Sequence, residues 1–269
     1  MQAKDSQPSG KNLLVSTSNQ DSFGNYEGDD KVVTSFELRD KLLGEKSNPF
    51  INVKSLIPGI DYACEGFQDG ELIIISGPTK QGKTLLAQSF TDSFARQRQH
   101  ACWFSYEVPA RQFLNQFPIL PLFYLPQKNT AQDFNWFMER CIESHCKYNT
   151  RIFFIDHLHF LVDMARVSHP SLEIGAIVRR IKRFAVENDF IIFLLAHIKK
   201  NESDDITYRD LRDSSFIAQD SDTVIMIKRT PNEGQTRAKA RVEFHRRTGI
   251  FEYVVYLNKI HGLLKEVIE

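Results

Sequence analysis

A loop between residues 77 and 84 has the residue types and spacing of a phosphate-binding site, GPTKQGKT. Successive backbone N–H groups of such a loop, together with the N-terminus of the next helix, surround phosphate oxygens with positive potential. Lys83 is predicted to reach the β- and γ-phosphates of a nucleotide, and the Thr84 hydroxyl to coordinate Mg²⁺. The predicted nucleotide-binding residues are Gly77, Pro78, Thr79, Lys80, Gln81, Gly82, Lys83, Thr84 and Leu85.

Three polar residues at the ends of predicted strands are further candidates for chemistry. Asp156 follows the apolar run 152–155, where a carboxylate can hold the water shell of Mg²⁺. The helix after the phosphate loop is followed by another predicted strand, and Glu107 lies just beyond that strand. It is the candidate base for an attacking water, and the alternative is an acid that only ends the strand in solvent. His197 closes the run 193–196, where it could sense a γ-phosphate or serve a structural role.

These residues need a sheet that brings strand ends together. Continuous apolar runs alternate with segments of helical periodicity between residues 71 and 228, which predicts a mainly parallel sheet with helices on both faces. In such a sheet, ligands bind at the carboxyl ends of the strands. The segments 240–246 and 251–257, joined through 247–249, predict a C-terminal β-hairpin. The fold class is therefore α/β.

Composition narrows the class of protein. The 269 residues suit one α/β domain with appendages, and the 34 basic and 34 acidic residues cancel. The four cysteines have no C-x-x-C spacing and are expected to be small buried side chains in a reducing compartment. Neither a long apolar span nor an N-terminal signal core occurs, so we predict a soluble intracellular protein without membrane contact.

The N-terminal region divides into two segments. Residues 1–33 are polar and poor in large apolar groups, which predicts a disordered tail. Thr34 and Glu37 have capping-box spacing, which predicts a short linker helix within 34–49 before the main domain at 50–269. A helix of this length is marginal alone and must dock, either on its own domain or on a neighbouring subunit.

Two basic clusters could contact a polyanion. The first lies in a long polar stretch between predicted strands and could follow nucleic-acid phosphates without sequence preference, with a solvated loop as the alternative. It comprises Lys199, Lys200, Arg209 and Arg212. The second lies beside the apolar stripe of a predicted helix, where a solvated face is favoured. It comprises Arg179, Arg180, Lys182 and Arg183.

His157 and His159 flank Asp156 without an acid or cysteine at metal-ligand spacing, which favours structural roles.

Several separate motifs together resemble the RecA-like motor domain of DnaB-type hexameric replicative helicases, across roughly residues 50–260. With a histidine at position 197, the sequence resembles the branch of this family that contains phage primase-helicases and the mitochondrial helicase Twinkle. The matching segments are Gly66-Phe67, Glu71–Ser76, GPTKQGKT, Ser105-Tyr106-Glu107, Phe154-Ile155-Asp156, Ala196-His197, Asp210–Ser214 and Gln219–Asp222.

The resemblance implies a RecA-like P-loop ATPase core that uses ATP and Mg²⁺ and translocates on single-stranded DNA as a homo-oligomeric, hexameric ring. A primase, a polymerase and a loader are the implied replication partners. Arg246 and Arg247 stand where the family places an arginine finger, a cation that acts on the neighbouring subunit's nucleotide, with Arg246 slightly favoured. In the same setting, the linker helix resembles the element that grips the adjacent subunit.

Two other functions stay open from the sequence. A RecA-type recombinase or mediator ATPase would share the core and favour filaments over closed rings. A low-turnover ATP-binding clamp or loader accessory protein would show an ATPase rate that barely responds to single-stranded DNA.

Overall fold

The computed structural model describes residues 31–44, 49–128, 134–161, 170–197, 214–230 and 237–267. The chain divides into two units, residues 1–49 and 50–269. The strands are β1 Asn52–Val53, β2 Phe67–Gln68, β3 Leu72–Gly77, β4 Ala101–Ser105, β5 Ile152–Asp156, β6 Ile191–His197, β7 Thr223–Arg229, β8 Arg237–His245, β9 Phe251–Ile260 and β10 Leu263–Glu266. The helices are α1 Ser35–Gly44, α2 Pro58–Cys64, α3 Lys83–Arg96, α4 Ala110–Leu114, α5 Phe134–Tyr148, α6 Pro170–Glu187 and α7 Ser214–Asp220, with a 3₁₀ turn at Leu158–Leu161.

Among the described residues, one eight-stranded sheet runs in the order β4-β5-β6-β3-β7-β8-β9-β10. The five strands from β4 to β7 in this order are parallel, and the last three are antiparallel. Every residue of β3 and β5 is buried, as expected for strands covered on both faces. The predicted mainly parallel sheet is therefore confirmed.

Side chains of alternate strand residues divide the core into two layers. Ile73 and Ile75 of β3 pack into the layer that contains α3, whereas Leu72 and Ile74 pack into the layer that contains α5 and α6. This division follows from the two-residue repeat of a strand, since successive side chains point to opposite faces. Helices therefore cover both faces, as the sequence predicts.

Aromatic stacking joins three parallel strands in the α3 layer. Trp103 lies 4.5 Å from Phe154, and Phe154 lies 4.6 Å from Phe193, as ring centroids with interplanar angles of 10° and 14°. The indole N–H of Trp103 donates to Thr91 Oγ1 on α3 at 2.9 Å, so its polar atom is satisfied inside the core. These contacts join the middles of β4, β5 and β6 laterally.

The C-terminal hairpin is confirmed and is longer than predicted. Strands β8 and β9 pair from Arg237 opposite Asn258 to Phe244 opposite Phe251. The sequence prediction missed β10, which pairs with β9 and whose Leu264 N–H donates to Ser89 Oγ on α3 at 2.8 Å. A four-residue strand shows too little alternation to be recognised, and its position depends on the helix that it contacts.

The N-terminal unit contains the predicted short helix. The backbone N–H of Thr34 donates to Glu37 Oε2 at 2.8 Å, and the N–H of Glu37 donates to Thr34 Oγ1 at 3.2 Å. This reciprocal pair is the predicted capping box. Helix α1 has no buried residue, although it carries several large apolar side chains. The predicted tail at 1–33 lies almost entirely outside the described residues.

Two smaller outcomes concern the cysteines and membranes. All four cysteines are free thiols, and Cys64, Cys102 and Cys141 are buried as expected. The prediction was wrong for Cys146, which is exposed because it lies on the outer side of α5. In the part of the chain that the structure describes, we find no helix with the length and apolar character needed to cross a membrane.

Candidate nucleotide site

The loop from β3 to α3 has a backbone that only glycine accommodates at its ends. Gly77 has φ +149° and Gly82 has φ +109°. A Cβ atom on Gly77 would lie 2.1 Å from the carbonyl oxygen of Ile227 on β7. The loop therefore lies directly against the neighbouring strand, and Gly82 is the N-cap residue of α3, without a side-chain cap. The first N–H groups of α3 are thus presented at the loop, where phosphate oxygens can accept from them.

Gly77 allows a direct test of this close approach. We expect Gly77→Ala to destabilise the fold by roughly 2–5 kcal/mol and to weaken nucleotide binding, because backbone strain and an overpacked contact add. Gly249→Ala is the matched control, since Gly249 also has positive φ, +70°, but a Cβ there meets nothing within 4 Å. Denaturant unfolding and binding of a fluorescent nucleotide measure both effects. Equal losses in the two variants would contradict the steric explanation.

Lys83 lies inside the loop. Its Nζ donates to the carbonyl oxygens of Gly77 at 2.9 Å and Pro78 at 3.0 Å. Burial lowers the pKa of Lys83, and the nearby carboxylates of Asp156 and Glu107 oppose that shift. The hydrogen bonds of this ammonium to described residues go to neutral carbonyls, so the buried charge favours an added anion, as phosphate oxygens would supply.

The Thr84 hydroxyl donates to Asp156 Oδ2 at 2.9 Å. Burial raises the pKa of Asp156 to about 6, with Glu107 adding to the shift and Thr84 and Lys83 opposing it. This buried carboxylate is short of positive charge, and its oxygen and the hydroxyl of Thr84 are hard donors of the kind that Mg²⁺ takes. The predicted metal residues therefore fit a magnesium ion.

Glu107 and His197 lie at the same edge of the sheet as the loop. His197 pairs in register with Gly77, and β4 delivers Glu107 beside β5. Glu107 Oε2 is 3.7 Å from His157 Nδ1, and the rings of His157 and His197 are 4.4 Å apart. The sequence prediction placed Glu107 and His197 at this edge but missed the proximity of His157, because its neighbours come from other strands.

Arg246 and Arg247 lie at the opposite edge of the sheet. Strand β8 runs back from Ala238, opposite Arg229, to His245, opposite Thr223, so the turn after it lies where the parallel strands begin. These arginines cannot reach the phosphate loop of their own chain. A cation that acts on the nucleotide of a neighbouring subunit must have such a position.

The two arginines differ in their intrachain contacts. The Arg247 guanidinium donates to the carbonyl oxygens of Cys64 at 2.6 Å and Gly66 at 2.9 Å, and to Glu71 Oε1 at 3.2 Å. Arg246 donates to the carbonyl oxygens of Gln219 and Ser221, and its side chain is 56% exposed against 30% for Arg247. Arg246 is therefore the more available of the two.

One member of the second basic cluster is not a solvated residue. Lys182 Nζ donates to Asp222 Oδ2 at 2.6 Å and to the carbonyl oxygen of Gly70 at 2.8 Å. Asp222 in turn accepts from the backbone N–H of Leu72 at 2.8 Å. The prediction of a solvated face was wrong for Lys182, because its partners come from the starts of β3 and β7.

His245 is a buried member of this opposite edge. Burial, together with repulsion from the Arg247 cation, lowers the pKa of His245 to about 4, below its ordinary value of 6.5. The unfolded chain therefore binds the proton more tightly, and the stability that the neutral imidazole contributes is lost as pH falls from 6.5 to 4. As pH falls over that interval, we expect the free energy of unfolding of wild type to drop by about 3 kcal/mol relative to that of His245→Gln, measured by denaturant unfolding. A difference that is independent of pH would contradict this assignment.

The predicted DNA-contacting cations lie outside the described residues and stay predictions. They are Lys199, Lys200, Arg209 and Arg212. His159 also has no described side chain.

Comparisons with known proteins identify the family. The family model for the DnaB-like helicase C-terminal domain matches residues 52–119 and 123–259. The chain therefore belongs to the DnaB-like helicase C-terminal domain family. The match runs from β1 to the penultimate residue of β9, and it includes the phosphate loop, Glu107 and Asp156.

Curated proteins similar to this chain include a DnaB helicase and a clock protein. The replicative DNA helicase DnaB of Treponema pallidum (strain Nichols) is 25% identical over 242 residues, 77% of this chain and 53% of its own length. The circadian clock oscillator protein KaiC of Prochlorococcus marinus (strain MIT 9313) is 32% identical over 83 residues, 30% of this chain and 16% of its own. The chain thus spans about half or less of these curated relatives.

A solved structure has the same fold. It is a DnaB-like replicative helicase studied for its interactions with primase, and it superposes with a TM-score of 0.73 at 17% identity. The superposition covers 90% of this chain and 69% of the other. This likeness supports the RecA-like fold that the sequence motifs imply.

Proposed function

We propose that this protein is an ATP-dependent DNA helicase of replication that translocates on single-stranded DNA as a homo-oligomeric ring. The observation that carries the proposal is the joint position of Lys83, the Thr84–Asp156 pair and Glu107 at one edge of the sheet, in a chain of the DnaB-like family. Hydrolysis of a nucleotide γ-phosphate needs a cation, a metal site and a base at one place.

Each residue has a separate part in ATP hydrolysis. The loop N–H groups and Lys83 hold the β- and γ-phosphates, so that Lys83 exchanges its carbonyl contacts for phosphate oxygens. Thr84 and Asp156 hold Mg²⁺, which supplies neutralisation of phosphate charge when bound. Glu107 accepts a proton from the attacking water, and its partial exposure leaves room for that water. His197, in register with the loop, reports whether the γ-phosphate is present.

The two edges of the sheet support a ring in which nucleotide lies between subunits. One edge carries the phosphate loop, and the other carries Arg246 and Arg247. A head-to-tail contact joins these different surfaces and closes into a ring when the rotation permits. Helix α1 exposes Phe36, Leu42 and Leu43, and we propose that it packs on the adjacent subunit. We propose a hexamer, with primase, polymerase and loader as replication partners.

Unwinding of a forked duplex tests the function directly. We expect strand separation that requires ATP and Mg²⁺, and closed rings by mass photometry when ATP is present. Filaments without unwinding would instead indicate a strand-exchange or mediator ATPase. An ATPase rate indifferent to single-stranded DNA would indicate an accessory clamp or loader.

The predicted DNA segment has its own test. We expect Lys199→Ala with Lys200→Ala and Arg212→Ala to weaken single-strand binding, flatten its salt dependence and spare basal ATPase activity, because about three phosphate contacts are lost. The control replaces three exposed cations, Arg96, Arg98 and Lys147, which gives the same charge change elsewhere. Fluorescence anisotropy over a salt series measures the slope. Equal slopes in both variants would place the DNA site elsewhere.

A further inference from the structure

Three potential metal ligands converge at the loop edge of the sheet. One carboxylate oxygen of Glu107 and one ring nitrogen each of His157 and His197 all lie within 4.8 Å of one another. Each residue follows or ends a different strand, β4, β5 or β6, and the aromatic stack in the core aligns those three strands. The cluster is therefore a product of the fold and has rigid support beneath it.

The donor set differs from that of the magnesium site. Mg²⁺ takes oxygen ligands, whereas imidazole nitrogens suit zinc and neighbouring transition metals. Two histidines and one carboxylate are also a ligand set that leaves a fourth position open for water or substrate. Ligand atoms around a tetrahedral zinc ion lie roughly 3.3 Å apart, given metal–ligand distances of about 2.0 Å. The side-chain movement needed is small, because Glu107 is half exposed and neither imidazole is fully buried.

We propose that Glu107, His157 and His197 bind one divalent transition-metal ion of the zinc type, separate from the magnesium held by Thr84 and Asp156. The cluster adjoins the phosphate loop, since His197 and Gly77 are paired in the sheet. A metal there takes the Glu107 carboxylate as a ligand and removes it as a proton acceptor. Zinc is therefore expected to inhibit ATP hydrolysis without displacing nucleotide. Metal binding itself does not depend on the proposed function, whereas the inhibition does.

Cobalt titration of the full chain tests the site without reference to activity. With excess Mg²⁺ present to fill the Thr84–Asp156 site, we expect one Co²⁺ per chain with the visible d–d absorption of a four-coordinate ion, displaced by Zn²⁺. Loss of a residue that only hydrogen-bonds to a metal ligand weakens metal binding about 10- to 100-fold. Because His157 is a proposed ligand itself, His157→Ala should weaken Co²⁺ binding by at least about that much. His157→Gln, which keeps more of the side-chain volume, guards against loss of folding. His100→Ala, at a histidine outside the cluster, is the matched control and should bind as wild type does.

The results separate the site from its consequence. Unchanged Co²⁺ affinity in folded His157→Ala and His157→Gln, or a spectrum without the four-coordinate bands, would overturn the site. The second measurement is ATP hydrolysis at saturating Mg²⁺ with increasing Zn²⁺, each variant being normalised to its own zinc-free rate. Inhibition of wild type that weakens in His157→Gln supports the proposal. Cobalt binding with full ATPase activity would confirm the site and contradict the role of Glu107 as base.

Discussion

Replacing Glu107 by Gln is expected to slow ATP hydrolysis by about 10²- to 10⁴-fold and to leave nucleotide binding intact. The amide has nearly the shape of the carboxylate but cannot accept the proton of the attacking water. Lys83 and the loop N–H groups, which hold the phosphates, are untouched by the change. The loss should therefore appear in single-turnover rates and not in nucleotide affinity.

Lys83→Ala is the matched comparison and should fail at the binding step instead. It removes the cation that faces the phosphates, and it leaves Asp156 and Glu107 without the positive charge that opposes their mutual repulsion. Equilibrium binding of a fluorescent ATP analogue separates the two variants. Wild-type turnover in Glu107→Gln would mean that another group activates the water, whereas lost nucleotide binding would show that Glu107 holds the site together.

Replacing both Arg246 and Arg247 by Ala is expected to lower DNA-stimulated ATP hydrolysis by about 10³- to 10⁵-fold, the effect of a missing arginine finger. The two residues lie at the sheet edge opposite the phosphate loop, so the effect must act between subunits. The single variants should differ. Arg246→Ala should lose activity with little loss of stability, whereas Arg247→Ala should also destabilise the fold, because its guanidinium joins the end of α2 to Glu71, the residue before β3.

Mixing two inactive proteins tests the action in trans. One protein carries both arginine substitutions, and the other carries Lys83→Ala. Mixed assemblies contain interfaces with an intact loop on one side and intact arginines on the other, so partial ATPase activity should return. The arginine proposal fails if the double variant, assembled on DNA, hydrolyses ATP at the wild-type rate.

The fold was predictable from the sequence because its signals are local. Continuous apolar runs such as Leu72–Ile75 mark strands that are buried on both faces, and the 3.6-residue repeat marks the helices between them. The positions of the loop, Glu107, Asp156 and His197 at one edge followed from the parallel arrangement, because each stands at a carboxyl end. Short elements such as α2 and β10 were missed, since few residues carry their pattern.

The sequence by itself determined which segments form strands and helices, their succession along the chain and the phosphate loop, because side-chain alternation and helical periodicity depend on neighbouring residues. Only the tertiary structure decided which distant groups meet. Glu107 meets His157, Arg247 meets Cys64 across 183 residues, and Lys182 meets Asp222. Those contacts depend on the lateral order of the strands, with β3 between β6 and β7. That order is set by the packing of helices and aromatic side chains against both faces of the sheet, and no local pattern in the chain encodes it.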